Sequence, residues 1–121
     1  MTVAVYNQTR GLPLALVCTE ARSFLARGKG LIGHPGLAPG EGLLIVPCSS
    51  VHSFFMRFPI DVVFVNRHDR VVGLSSALPP NRPFAGAWRS HYVLELPAGM
   101  IAATGTALGD QVRLERQDAV P

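Results

Sequence analysis

The 121-residue chain is poor in the residue types that usually announce a chemistry. Its two cysteines, Cys18 and Cys48, are too few for a disulfide-stapled scaffold or a four-thiolate zinc site, and the expected compartment, a reducing cytoplasm, keeps such thiols free. Histidines and carboxylates show no repeated or clustered ligand spacing, so neither a metal nor a cofactor is expected. The cations, ten arginines and a single lysine, are scattered from Arg10 to Arg116. That dispersion reads as a mildly basic surface of net charge +3, without the stripe expected of a specific nucleic-acid binder. No run of about 18 apolar residues is present, which excludes a membrane-spanning helix. The segment Gly30–Gly42 is rich in glycine but lacks the Gly-Lys-Ser or Gly-Lys-Thr ending of a phosphate loop.

What the chain does have is a large apolar fraction, 48%, punctuated by 12 glycines and 10 prolines spread along its length. Such a composition folds into one domain of short elements and tight turns, here residues 1–116 with a frayed tail over 117–121. Val3–Tyr6 and Leu14–Cys18 predict a first hairpin. Leu12–Cys18 (LPLALVC) resembles the end of an export signal, but Pro13 and the bulky Leu16 and Val17 argue for a strand instead. Thr19 is expected to cap a helix over 20–27 that Gly28 stops, and Gly30–Gly42 to form a surface connection. Leu43–Val46, a strand on each side of Pro59 within Val51–Val65, Val71–Leu74, Tyr92–Leu96 and a strand over 110–115 complete the β count, and Pro97 is expected to start a short helix ending at Gly105. Asp69 sits where the turn over 67–70 favours positive φ. About seven or eight short strands with one or two short helices predict a mainly β, β-rich α+β domain, a small antiparallel barrel or sandwich. A parallel α/β sheet is disfavoured because its crossovers need helices of about ten residues.

Three stretches resemble the bacterial and archaeal family called domain of unknown function 192. They are Gly30-Leu31-Ile32 upstream of Gly42-Leu43-Leu44, the block VHSFFMRFPIDVVFV (Val51–Val65), and VLELPAG (Val93–Gly99) followed by Ala107-Leu108-Gly109-Asp110, together spanning about residues 13 to 115. The chain looks like a shorter variant without an export signal: Phe55 precedes Met56 where many members have tryptophan, and Arg57-Phe58 runs directly into Pro59. The resemblance implies a compact, mostly β domain and no established activity.

The site must therefore be read from chemistry. If residues 48–56 run extended, Cys48, Ser50, His52, Phe54 and Met56 share a face, with Cys48 and His52 roughly 13 Å apart along the backbone, too far for a nucleophile and its base. Arg57, Asp61 and Glu95 are charges in apolar surroundings and need partners, so an ion pair of Arg57 with Asp61 or Glu95 is expected. Phe84 and Trp88, beside Arg82 and Arg89, either plug the core or form a lip over a pocket. The leading expectation is a non-catalytic binding or accessory module. In it Pro59 gathers His52, Met56, Arg57, Asp61 and Glu95 beside one cavity, Phe84 and Trp88 lie above, and a small anionic ligand or an extended peptide is bound. The alternative is a small hydrolase or transferase using Asp61 or Glu95 with His52, and a third reading is a partner domain that adds an edge strand to a larger assembly.

Overall fold

The computed structural model describes residues 2–117. Turn formers between Asn7 and Leu12 reverse the chain from β1 (Thr2–Asn7) into β2 (Leu12–Ala21), and the two strands pair antiparallel with register shifts around Val5. Because β2 runs on to Ala21, the first helix starts later than its composition implies. Ser23, not Thr19, caps α1 (Phe24–Lys29), its Oγ accepting from the Ala26 amide at 3.1 Å, and Gly30 at φ +49°, not Gly28, ends it. The chain then crosses in irregular conformation to β3 (Glu41–Ile45), which joins β2 in parallel. This pair departs from the expected antiparallel sheet. A six-residue helix suffices for the crossover because the irregular segment supplies the remaining length.

Beyond Pro47 the structure corrects a second expectation. Only β4 (Ser50–Val51) is extended, paired with the equally short β7 (Ala85–Gly86), and residues 52–59 form a loop rather than a strand. The backbone of Ser53 spends its hydrogen bonds on another loop, donating to Arg82 O at 2.9 Å and accepting from Asn81 N at 2.7 Å. After Pro59 come β5 (Ile60–Val65), a turn with Asp69 at φ +61°, and β6 (Val71–Leu78), the hairpin the sequence predicts. Then follow β8 (Tyr92–Pro97), α2 (Met100–Thr104) and β9 (Val112–Gln117). Pro97 closes β8 instead of opening α2, whereas Gly105 stops the helix as expected, at φ +69°. Of the anticipated tail, Gln117 belongs to β9, and 118–121 lie outside the described residues.

Seven strands form one sheet in the order β6-β5-β8-β3-β2-β1-β9. It curls until its edges touch at the bridge between Arg70 and Gln111, but no continuous ladder joins β6 to β9. The architecture is mainly β and sandwich-like rather than a closed barrel, with an apolar layer on each face of the central strands. One layer holds Leu44, Val63, Val65, Leu94 and Leu96 against Val3, Leu14 and Ile101. The other holds Leu43, Ile45, Ile60, Val62, Phe64 and Val93 against Leu31, Met56 and Leu78. Burial on both faces is why β5 and β8 read as nearly unbroken apolar runs rather than alternating ones. No helix among the described residues is long and apolar enough to cross a membrane.

A buried polar network ties β1 to the approach of β9. Asp110 accepts from Asn7 Nδ2 at 3.0 Å, Arg10 Nε at 2.9 Å and the Ala107 amide at 3.0 Å. The Arg10 guanidinium and these donors hold its carboxyl well below the usual range, at about 2. A depressed carboxylate stabilises the fold above its unfolded pKa, and that contribution disappears as pH falls through the folded value. Stability measured by urea unfolding is expected to drop between pH 3.8 and about 2, and Asp110→Asn to be less stable at neutral pH with a flatter acid limb.

Candidate functional site

Strand register decides the fate of the two carboxylates in the core. Asp61 on β5 pairs with Leu96 on β8, and Val62 pairs with Glu95. Side chains alternate across a strand, so Asp61 points with Leu96 and Ile101 into one apolar layer while Glu95 points with Val62 into the other. The two carboxylates therefore lie on opposite faces of the sheet. Asp61 is 1% exposed and accepts three backbone hydrogen bonds, from Ala77 N at 2.8 Å, Gly99 N at 3.1 Å and Ile101 N at 2.8 Å. Two of these donors belong to the start of α2, whose N-cap Gly99 has no side chain to offer, so a strand supplies the cap. Asp61 is structural.

Glu95 lies on the opposite face, 3% exposed, at the floor of a cavity of about 560 Å³. The walls come from sequence-distant elements. The end of α1 gives Arg27, Lys29 and Gly30; the chain after β3 gives Pro47 and Cys48; the loop around β4 gives Ser50, His52 and Met56; the β5–β6 turn gives Arg67; and the entry to β8 gives His91. Gly30 is needed there for its positive φ, and it lies beside the carboxyl: a Cβ on it would make an ordinary contact of 3.5 Å with Glu95 Oε1. No ion pair reaches Glu95 among the described residues, and burial alone pushes its carboxyl up to about 7. Arg27 donates from Nη1 to Pro47 O at 3.2 Å, while its buried Nε has no partner among the described residues. The cavity thus combines a carboxyl that is half protonated near neutrality with three cationic side chains.

Cys48 also faces this cavity, but its chemistry is muted. Its Sγ donates to Ser50 O at 3.0 Å, and burial pushes the thiol above its ordinary range, so the nucleophilic thiolate is disfavoured. His52 Nδ1 accepts from the Phe54 amide at 3.3 Å. The bend after Val51 brings thiol and imidazole to one cavity without pairing them. Cys18 is buried and free, its thiol pushed up to about 12, and no disulfide links the two. No group of three or more metal-ligating side chains forms among the described residues.

Of the residues singled out in the sequence, His52, Met56 and Glu95 meet at the cavity. Arg57 does not; it is exposed and joins neither Asp61 nor Glu95 in an ion pair among the described residues. The expected pair fails because residues 52–59 loop outward, so Arg57 reaches solvent and needs no buried partner. Phe84 and Trp88, 70% and 84% exposed, neither plug the core nor line the cavity. Arg27, Lys29 and Arg67 were missed as site residues. Each sits in an ordinary helix end or turn, and only the fold brings them to Glu95.

Two substitutions test these assignments. Asp61→Ala strands three backbone amides and is expected to cost about 3 kcal/mol in urea unfolding. For Glu95 the sign is opposite to that of Asp110: a raised pKa means stability present below pH 4.5 and lost as pH rises through about 7. The loss approaches about 3 kcal/mol, and Glu95→Gln is expected to abolish that dependence and to be the more stable protein at pH 8.

The same architecture occurs in a crystal structure of a protein of unknown function from Novosphingobium aromaticivorans, with a TM-score of 0.81 and 25% identity, covering 93% of this chain and 84% of that one. A UPF0127 protein of Pyrococcus furiosus is 33% identical over 116 residues, 91% of this chain and 97% of the relative. A second, from Pyrococcus horikoshii, is 30% identical over 115 residues, covering 90% and 96%. Residues 5–114 match the profile of the family described as "Uncharacterized ACR", which takes in both carboxylates, the wall of the cavity and every strand of the sheet at least in part. The chain belongs to this family, domain of unknown function 192.

Proposed function

We propose that the protein is a non-catalytic binding module that holds a small anionic ligand in the cavity above Glu95. The observation that carries this reading is a buried carboxyl without a partner among the described residues, facing a cavity walled by Arg27, Lys29 and Arg67. A cavity near 560 Å³ is of the size that takes metabolite-sized ligands. The unpartnered Arg27 Nε supports the placement of an anionic oxygen beside it. Glu95 would then meet the ligand as a neutral acid, donating a hydrogen bond, because an ionised carboxylate would repel the anion.

A second reading, a small hydrolase or transferase using Glu95 with His52, is favoured by the same pKa, since a carboxyl titrating near neutrality in a cleft suits proton transfer. The high thiol pKa of Cys48 counts against covalent catalysis through that residue.

Sulfate is the discriminating probe because its charge does not change near neutral pH. Isothermal titration should show saturable binding that weakens as pH rises through about 7 in the wild type, persists at high pH in Glu95→Gln, and falls roughly tenfold in Arg27→Ala and Arg67→Ala. Absence of saturable binding of sulfate or simple carboxylates at any pH would remove the anion site. Turnover of an ester or phosphoester panel that vanishes in Glu95→Gln would move the reading to the enzyme.

A further inference from the structure

The two loops beside the cavity carry all the large aromatic side chains, and half of the large apolar ones, that are exposed among the described residues. Phe55, Phe84 and Trp88 are 77%, 70% and 84% exposed, and Phe54 is 41% exposed. The loops that carry them are joined to each other. Ser53, fully buried, donates from Oγ to Pro79 O at 2.6 Å and accepts from Arg82 N at 2.8 Å, and β4 pairs with β7 between the two loops. The Phe55 amide donates to Asn81 Oδ1 at 3.3 Å across the same junction. Phe55 itself is held at φ +65°, a conformation that bulky side chains avoid. The fold therefore keeps an aromatic ring presented outward at a position where the backbone disfavours it.

Charge distinguishes this surface from an ordinary apolar patch. The sequence has no aspartate or glutamate from Cys48 to Ile60, and none between Asp69 and Glu95. Within those stretches Arg57, Arg82 and Arg89 are exposed and take part in no ion pair among the described residues. The partner must be anionic and must accept aromatic side chains. Phe54, Phe55, Phe84 and Trp88 do not line the cavity above Glu95, and Phe55 and Trp88 stand at turns with their rings exposed. A single-stranded nucleic acid or an acidic peptide is normally tracked by a groove. Projecting aromatics collared by arginines match the boundary between lipid headgroups and acyl chains, where Trp and Phe partition and cations meet anionic lipids.

We propose that the tip formed by residues 52–58 and 79–91 docks the protein on the surface of an anionic lipid bilayer, with Phe55, Phe84 and Trp88 entering the headgroup boundary and Arg57, Arg82 and Arg89 against lipid anions. The docking is peripheral and independent of what fills the cavity. Since residues 49–52 and 56 line the cavity and Phe54 and Phe55 lie between them in sequence, docking brings the cavity wall next to the membrane.

Trp88 is the only tryptophan, so its fluorescence reports on this tip alone. The full chain is titrated with vesicles of phosphatidylcholine, with and without phosphatidylglycerol, at low and high salt. The proposal expects a blue shift of Trp88 emission and quenching by brominated acyl chains with the anionic vesicles, both diminished by salt. Partitioning should fall roughly tenfold in Phe55→Ser, and by a similar factor in the double variant Arg82→Ser/Arg89→Ser. All three substituted side chains are exposed, and circular dichroism checks that the variants fold. Should Phe55→Ser not fold, the arginine variant and the salt dependence of the wild type decide. No shift with anionic vesicles at low salt overturns the proposal, as does equal partitioning onto neutral vesicles. A saturable shift with a single-stranded oligonucleotide or polyglutamate, and none with vesicles, overturns it in favour of a soluble polyanion.

Discussion

The constraint on which the rest depends is that β5 and β8, adjacent interior strands of the sheet, are covered on both faces. A strand buried on one side can leave its polar residues in water; these two cannot, so Asp61 and Glu95 each enter an apolar layer and must find donors or lose their charge. The ladder that pairs Asp61 with Leu96 and Val62 with Glu95 sends them to opposite layers. A slip of one residue would exchange their surroundings.

The two side chains then diverge for a simple reason. Around Asp61 the chain folds back, and three amides, two from the start of α2, converge on one carboxylate. Around Glu95 no amide converges among the described residues; the carboxyl meets a cavity whose wall includes Gly30 and cationic side chains that make no ion pair with it. A carboxylate surrounded by amide donors acts as a structural cap. One deprived of them becomes a weak acid facing a pocket, the situation in which buried titratable groups usually serve a ligand or a reaction.

Loop architecture links the cavity with the surface beside it. Ser53 clamps the loop of residues 52–59 against that of residues 79–91, and this clamp fixes His52 and Met56 on the cavity side while Phe55 is displayed to solvent. A strand through these residues would instead have placed Cys48, His52 and Met56 along a single face, spaced too widely to enclose a volume. Pro59 marks the end of this loop, and its missing amide donor is consistent with pairing beginning only at Ile60.

The residues by themselves determined a mainly β domain, the hairpin around Asp69, the stop at Gly105, the buried character of IDVVFV and YVLEL, and a family resemblance carried by those same blocks. These are local properties, set by side-chain volume, β-branching and tolerated φ, and they survive without knowledge of any partner. Boundaries at Thr19 and Pro97 were misread because ladder pairing extends β2 and β8 past positions that propensity assigns to caps. Only the tertiary structure decided that Arg57 faces water, that Asp61 caps a helix, and that Arg27 and Arg67 join Glu95 around a cavity. Those outcomes depend on strand register and on contacts between segments tens of residues apart, and nothing in the local spacing of one segment encodes which face another will present to it.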